Sequence, residues 1–383
     1  MDLWSLNLRH LLAVARIVEL GTVNAAAQAV NLSQPAITQA LARLEAQLGM
    51  QLFERRHDGM VPTEAGSILA RRVAAALAHV PAQHVTMSRL RALIALADSG
   101  SYAGAGQGTG LSMPSIHRAV NDLALALRRP LVIRRGKFVA TTEAGMRLAR
   151  DFRLCRLELE TGLSEIDALL GRETRRIAIG AMPLSRARVL PAAVGRFLTR
   201  RPQVKLTIVE GSRAELLEPL RNGTIDLMVG ALREPLAEQD LVQQPLFDDL
   251  PAVFGRRAHP LLGDERPLAR MADYPFVLPP RGTPLRDSFE RYLAENELPA
   301  PRVPVECGSV MMIRQIMMES DFLTVLSADQ LAPEVEAGWL HEILRLPAGC
   351  GRTIGMTTRA SMHPTQVQAE FFAVLAAAAS SSD

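Results

Sequence analysis

A tandem repeat constrains this chain of 383 residues more than any other feature of its sequence. Residues 32–37, LSQPAI, recur 79 positions later as residues 111–116, LSMPSI. Without a gap, the same shift maps RR at 55–56 onto 134–135 and TEAG at 63–66 onto 142–145. Solenoid arrays need about three or more stacked units for stability. Two copies therefore predict two small domains, each with a hydrophobic core of its own.

The composition is that of an ordinary globular protein, with 48% hydrophobic and 22% charged residues. A net charge of +3 is only weak evidence for nucleic acid binding. Cys155, Cys307 and Cys350 are too far apart for a metal site, so we expect reduced thiols in a cytoplasmic protein, with no metal and no cofactor. No apolar run of about 18 residues occurs. Arg16 and Glu19 interrupt the stretch that most resembles a signal peptide, so no membrane is expected as a partner.

The first copy predicts three helices followed by a β-hairpin, or wing. Thr22 is a suitable N-cap for an Ala-rich helix at 23–30, and Ser33 for a third helix with Pro35 in its first turn. The third helix carries short polar side chains opposite its apolar stripe, as a helix that enters the DNA major groove requires. The candidate DNA contacts are Ser33, Gln34, Pro35, Thr38, Gln39 and Arg43 on this helix, with Arg55 and Arg56 at the base of the wing.

These motifs resemble the DNA-binding domain of LysR-type transcriptional regulators. The matching residues are LSQPAI at 32–37, RLE at 43–45, Gly49, LFER at 52–55 and TEAG at 63–66. The alternative is a three-helix domain that binds protein. The resemblance implies that the chain binds double-stranded DNA and a small-molecule effector, forms a homodimer or homotetramer, and contacts RNA polymerase.

The second copy keeps the apolar stripe of the third helix but changes its polar face and its charge. Residues 85–145 carry a net charge of +5, whereas residues 1–66 carry −1. Most of the difference lies in the predicted wing at 128–137, where bases would attract phosphates. Glycines between 104 and 110 predict a less rigid second helix. The candidate DNA contacts are Ser112, Ser115, His117, Arg118, Arg134, Arg135 and Lys137. The alternative is a degenerate copy that serves dimerisation.

A long helix follows each copy, at 64–79 and from after Gly145 to about residue 170. The resemblance implies that such a helix pairs with its twin from another subunit. Either long helix can form that dimer seam here, and packing against its own chain is the alternative.

The C-terminal half predicts two small α/β lobes. Strands at 175–181, 204–209 and 225–229 alternate with a helix at 185–200 and a helix opened by a capping box at 212–215. This β-α-β-α-β order predicts a parallel sheet, and it recurs between 276 and 326. The arrangement resembles the periplasmic-binding-protein-like effector domain of the LysR family.

Ligands of such sheets bind in the crevice beyond the carboxyl ends of the strands. The candidate effector contacts there are Met182, Pro183, Leu184, Ser185, Gly230, Ala231, Gly282, Thr283, Ser309 and Ser327. The first four begin a helix, whose free N–H groups favour an anion, and Arg186 or Arg281 can pair with a carboxylate. A helix cap that faces solvent is the alternative role for each polar residue.

These observations predict a multi-domain fold with two mostly α winged helix-turn-helix domains followed by a two-lobed α/β, periplasmic-binding-protein-like effector domain. The expected boundaries are 1–80, 81–145, a linker helix at 146–172, and 173–383, with lobe one at 175–255 and 339–378 and lobe two at 256–338. The predicted function is a sequence-specific DNA-binding transcriptional regulator, not an enzyme, that responds to a small metabolite such as a carboxylate. The alternative is a nucleoid-type or ligand-independent DNA-binding protein whose second winged domain serves oligomerisation.

Overall fold

The computed structural model describes residues 3–57, 59–80, 85–135, 138–171 and 176–380. The chain divides into two compact units, Met1–Arg175 and Arg176–Asp383, which are described separately below. Within the described part of the chain, no helix combines the length and apolar character that crossing a membrane requires.

The first unit repeats one order of helices and strands twice. In chain order its elements are α1 Leu8–Leu20, α2 Val23–Val30, α3 Gln34–Leu48, β1 Phe53–Arg56, β2 Gly59–Pro62, α4 Glu64–Ala78, α5 Met87–Ser99, α6 Tyr102–Thr109, α7 Met113–Leu127, β3 Val132–Arg135, β4 Phe138–Thr141 and α8 Glu143–Leu169. A short 3-10 turn, Leu3–Ser5, precedes α1. We call α1 to β2 the first winged domain, α5 to β4 the second winged domain, and α4 and α8 the linker helices.

Side-chain caps explain why the helices begin where the sequence predicts. The hydroxyl oxygens of Thr22, Ser33 and Thr63 each accept a hydrogen bond from a backbone N–H in the first turn of α2, α3 and α4. In the second winged domain, Ser112 caps α7 in the same way. Each cap satisfies a backbone donor that a helix N-terminus leaves unpaired.

The two winged domains share one core. A continuous cluster of buried apolar side chains runs from Leu3 to Ile166, because α4 packs against both α1 and α8, and α8 also packs against α5. The expectation of a separate core in each copy is therefore wrong. A domain of about 60 residues buries a smaller fraction of its surface than a larger domain does, and pairing the linker helices extends the core of both copies.

The second unit is an α/β structure. In chain order its elements are β5 Arg176–Ala181, α9 Val189–Arg200, β6 Lys205–Glu210, α10 Arg213–Arg221, β7 Leu227–Ala231, β8 Leu241–Asp249, β9 Pro251–Arg256, α11 Pro267–Arg270, β10 Val277–Leu278, α12 Pro284–Glu295, β11 Val305–Glu306, α13 Val310–Met318, β12 Thr324–Ser327, α14 Ala328–Glu336, β13 Leu340–Arg345, β14 Arg352–Arg359 and α15 Gln366–Ser380. Short 3-10 turns lie at Pro183–Arg186, Met271–Asp273 and Ala348–Cys350.

The first lobe is built on a sheet of five strands in the order β6-β5-β7-β14-β8. Strand β5 runs parallel to β6 and β7, as the alternation of strands and helices predicts, whereas β14 runs antiparallel to β7 and β8. The second lobe holds an antiparallel sheet, β12-β9-β13, and a parallel pair, β10-β11.

Two strands and one helix differ from the expectation. Strands β9 and β13 pair with each other in the sheet of the second lobe, although the expected boundaries assign residues 251–255 and 340–345 to the first lobe. Only Leu250 separates β8 from β9, so the sequence contains no long connection that would show the chain leaving one sheet for the other. The helix expected from residue 185 begins at Val189, because Pro183–Arg186 form a 3-10 turn and Arg188 is neither helical nor extended, with φ −140° and ψ −59°.

Candidate DNA interface and effector crevice

One face of α3, the recognition helix of the first winged domain, packs into the shared core. Ile37, Leu41 and Leu44 are no more than 5% exposed and belong to the shared core. Ser33 holds the N-terminal end, since its Oγ accepts a hydrogen bond from the N–H of Ala36 at 3.4 Å. The opposite face of α3 is consequently presented outward by a rigid support.

That outward face carries most of the residues predicted to contact DNA. The exposed residues are Ser33, Gln34, Pro35, Gln39 and Arg43. Thr38 is half-buried, and its hydroxyl donates to the carbonyl oxygen of Gln34 at 3.0 Å. Burial lowers the pKa of His10 in α1, and the positive charge of Arg43 lowers it further. Both effects favour the neutral form of the imidazole at this surface.

The first wing is attached to the turn between α1 and α2. The N–H of Met60 donates to the carbonyl oxygen of Gly21 at 2.9 Å. A Cβ on Gly59 would lie 2.7 Å from the same oxygen, and the φ of Gly59 is +146°, so only glycine fits there. Arg55 and Arg56 are exposed on β1, and Arg56 is paired with Glu54 at 3.1 Å.

The second recognition helix, α7, presents a different surface. Ser112, Ser115 and Arg118 are exposed, and the two serine hydroxyl oxygens lie 2.8 Å apart. His117 is half-buried, because its ring lies 5.3 Å from the ring of Tyr102 in α6 and its Nδ1 is 3.2 Å from Nδ2 of Asn121. Its imidazole is thus engaged within the second winged domain.

Strands β3 and β4 form the second wing, with Arg134 opposite Val139 and Arg135 opposite Phe138. Lys137, the third base predicted to contact DNA there, lies outside the described residues.

In the first lobe, the loop after β5 packs tightly on the end of β7. The N–H of Met182 donates to the carbonyl oxygen of Val229 at 3.0 Å. A Cβ on Gly230 would lie 2.5 Å from Cβ of Met182, so glycine permits this approach. Ser185 is fully buried, and its hydroxyl donates to the carbonyl oxygen of Met182 at 2.8 Å. Leu184 is also buried, whereas Pro183 and Ala231 are partly exposed.

In the second lobe, the predicted contacts are mostly engaged in local turns. The Thr283 hydroxyl donates to the carbonyl oxygen of Pro280 at 2.9 Å, and the N–H of Gly282 donates to Oδ1 of Asp287 at 3.1 Å. Ser327 is 1% exposed and caps α14. Ser309 caps α13 and is exposed. The hydroxyls of Ser185 and Ser327 are therefore buried and engaged by backbone groups of their own lobes.

Two arginines that the sequence analysis did not single out connect the lobes. Nε of Arg188 donates to Oδ2 of Asp329 in α14 at 2.8 Å. Nη2 of Arg233, two residues after β7, donates to the carbonyl oxygen of Gly282 at 3.2 Å. The strand-end rule that selected Gly230 would have found Arg233 if it had been extended two residues further.

A third arginine, Arg213, lies just after the carboxyl end of β6. Its Nη2 donates to Oε2 of Glu238 at 2.8 Å, while its Nη1 is buried and has no hydrogen-bond partner among the described residues. Burial lowers the pKa of Arg233, and the charge of Arg213 lowers it further. This edge of the sheet therefore holds two neighbouring guanidinium groups with incomplete compensation by carboxylates.

Comparison with known proteins identifies the domains. The model of the bacterial regulatory helix-turn-helix protein, lysR family, matches twice, at residues 8–67 and 87–146. The LysR substrate binding domain matches residues 170–380.

Whole-chain comparisons agree. The chain is 34% identical over 367 residues to the HTH-type transcriptional regulator GalR of Pseudomonas putida, covering 92% of each. It is 30% identical over 270 residues to the SDS degradation transcriptional activation protein of a Pseudomonas species, covering 69% of this chain and 85% of that one. In fold it is similar to ArgP from Mycobacterium tuberculosis, with a TM-score of 0.60 at 18% identity over 76% of this chain and 96% of that chain.

The chain belongs to the LysR family of bacterial regulatory helix-turn-helix proteins. It is a DNA-binding transcriptional regulator with an effector-binding domain, and the predicted family, fold class and general function are confirmed. It departs from a one-copy arrangement in carrying the helix-turn-helix domain twice.

Proposed function

We propose that the first winged domain reads the bases of a specific operator through Gln34, Gln39 and Arg43. The observation that carries the proposal is the exposed polar face of α3, held by a buried apolar stripe on the other side. Gln bonds adenine and Arg bonds guanine in the major groove, each with two hydrogen bonds. Ser33 and Pro35 at the helix start, and Arg55 and Arg56 on the wing, supply phosphate contacts.

Selection of binding sites from random duplex DNA by the full chain tests this proposal. Gln39→Ala should weaken binding to the selected site by about 1–3 kcal/mol and relax the preference at one base position. Gln47→Ala, in the last turn of the same helix, is the matched control and should leave the selected sequence unchanged. Uniform coating of DNA by the unaltered chain would instead support the nucleoid-type alternative.

For the second winged domain we propose contacts with the phosphate backbone through Arg134, Arg135 and Lys137. The net charge of +5 in residues 85–145 supports this role. Each neutralised phosphate contributes about one unit to the slope of log affinity against log salt. Replacing all three bases with Ala should reduce that slope by about 3. An unchanged slope and affinity would favour the alternative in which this copy serves assembly.

For the effector we propose an anionic small metabolite, such as a carboxylate, that binds at the carboxyl ends of β5, β6 and β7. The buried Nη1 of Arg213, which has no hydrogen-bond partner in the described part of the chain, and the neighbouring charge of Arg233 support an anion. The contacts of Arg188 and Arg233 with the second lobe support a mechanism in which the effector changes how the lobes close. An effector shifts this equilibrium only by its difference in affinity for the two forms.

Thermal melting of the chain with a library of carboxylates tests the effector proposal. A compound present at 100 times its Kd should stabilise the chain by about 2.7 kcal/mol. Arg233→Ala should abolish the shift, whereas Arg186→Ala should preserve it, since Arg186 is already paired with Glu210. A library in which no compound raises the Tm or alters the DNA footprint would overturn the proposal.

We further propose that the regulator acts in the cytoplasm as a homodimer or homotetramer and that DNA-bound copies contact RNA polymerase. Membership of the LysR family supports these partners.

A further inference from the structure

The linker helices α4 and α8 pair with each other inside one chain through a buried charged cluster. Arg72 of α4 is 1% exposed. Its Nε and Nη2 donate to the two carboxylate oxygens of Glu165 at 2.6 and 3.0 Å, and its Nη1 donates to Glu158 at 2.8 Å. Glu158, Gly162 and Glu165 lie on one face of α8, at the spacing of successive helical turns. Together they form a slot for one guanidinium.

The slot is shaped for close approach as well as for charge. A Cβ on Gly162 would lie 2.9 Å from Cβ of Arg72 and 3.0 Å from its Cγ. Any larger residue at position 162 would push α4 away from α8. The glycine therefore allows the Arg72 stem to lie directly against the α8 backbone.

Two copies of the same linker helix, α4 with α4 or α8 with α8, could not form this cluster. The carboxylate that α4 itself carries, Glu64, precedes Arg72 by eight residues, or about 12 Å along a helix. The repeat shift of 79 places Glu158 and Glu165 opposite His79 and Thr86, both beyond the end of α4. Two α4 helices would bury arginines without carboxylates.

Two α8 helices could not form the cluster either. The repeat equivalent of Arg72 on α8 is Asp151, which would bring a third carboxylate to the two glutamates. Buried charges are tolerated when they are paired. The cluster thus specifies that an α4 helix pairs with an α8 helix.

A second seam joins the same two copies. The 3-10 turn before α1 packs on α5, and the guanidinium of Arg91 in α5 lies 5.4 Å from the centre of the Trp4 ring. Arg91 is held in place by its hydrogen bond to the carbonyl oxygen of Thr109 at 2.7 Å. Both copies are therefore joined at two separate places, within the single shared core.

The recognition helices held by this pairing are unlike. The repeat shift aligns Gln34 with Met113, Thr38 with His117, Gln39 with Arg118 and Arg43 with Asp122. Asp122 lies 3.5 Å from Arg89 of α5, so that the acidic replacement is paired within its own domain. A base sequence that fits α3 would consequently not fit α7.

We infer that one chain forms a complete two-reader DNA-binding unit whose target is duplex DNA with two unlike half-sites. The paired α4 and α8 take the place that a second subunit would otherwise fill, and α3 and α7 each read one half. The inference rests on the proposed base-reading role of α3 and extends base reading to α7 through Arg118.

Pairing within a chain is tested by exchanging the charges. Arg72→Glu in one chain and Glu158→Arg with Glu165→Arg in another should each destabilise the first unit. Combining all three substitutions in one chain should restore much of the lost melting temperature. Co-expression of the two defective chains should restore nothing. Rescue by co-expression would mean that α4 pairs with α8 of another chain and would overturn the inference.

Binding-site selection separates this inference from the proposal for α3. We expect a non-palindromic site, in which Gln39→Ala relaxes one half and Arg118→Ala the other. A palindromic site that responds to Gln39→Ala alone would overturn the two-reader inference and leave the role of α3 intact. A site that responds to neither variant would overturn both.

Discussion

The two winged domains preserve the features that build them and differ in the features that face outward. In both, a threonine caps the linker helix and also donates to a backbone carbonyl oxygen, Thr63 to Gln51 and Thr142 to Pro130. The comparison shows that the two copies share the internal contacts that form their helices. They differ in the outward side chains of α3 and α7 and in the charges of α4 and α8, and the charges of α4 and α8 are complementary.

The largest expected effect concerns that complementarity. Arg72→Ala leaves two carboxylates without their buried partner and should lower the free energy of unfolding by about 3–5 kcal/mol. Arg71→Ala is the matched control, since its side chain is 58% exposed and lies 3.5 Å from the same Glu165. The control should cost less than about 1 kcal/mol. Equal losses in urea denaturation would mean that the buried cluster does not stabilise the pairing.

The next effect tests whether the start of the linker helix is packed equally tightly in the two copies. A Cβ on Gly66 would lie 2.0 Å from the carbonyl oxygen of Leu52, and one on Gly145 would lie 2.2 Å from that of Leu131. Either Gly→Ala substitution should cost about 1–3 kcal/mol by overpacking. Gly108→Ala is the control, because no atom of the described residues beyond the neighbouring helix backbone lies within 4 Å of the added Cβ, and it should stabilise α6 by about 0.5–1 kcal/mol. A large difference between the two copies would break the comparison.

Sequence reasoning recovered the local structure of both copies because caps, turns and apolar stripes depend on residues a few positions apart. Thr22 and Ser33 therefore gave correct helix starts. Packing of a long helix against its own chain was the alternative to the dimer seam, but α8 was not predicted as the partner of α4, since Arg72 lies 86 and 93 residues from the glutamates that bind it. Arg188 and Asp329, 141 residues apart, were missed for the same reason. The candidate effector contacts came from a general rule about sheets, which does not show which hydroxyls are already used.

A smaller effect concerns the end of each recognition helix. Gly49 ends α3 with a φ of +70°, whereas the equivalent Arg128 ends α7 with a φ of +52°. The left-handed conformation costs a residue with a Cβ about 1 kcal/mol or more. Arg128→Gly should therefore raise the melting temperature, and Gly49→Ala should lower it by a similar amount. If Arg128→Gly were neutral, contacts of the arginine side chain would have to offset the strain.

The smallest effect concerns one position that the two linker helices share. Cys155 in α8 is the repeat equivalent of Ala76 in α4, and both are fully buried. Burial raises the pKa of the Cys155 thiol to about 12, and the charge of Glu158 contributes. At pH 8 the thiol is almost entirely protonated, so Cys155 should not react with a thiol reagent in the native chain. Cys307, which is partly exposed, serves as the internal control for reagent access.

Cys155→Ala, which installs the residue of the first copy, should change stability by about 1 kcal/mol or less, because the thiol acts there as a small apolar group. Rapid modification of Cys155 would mean that α4 and α8 separate in solution, and the pairing that distinguishes the two copies would then be transient.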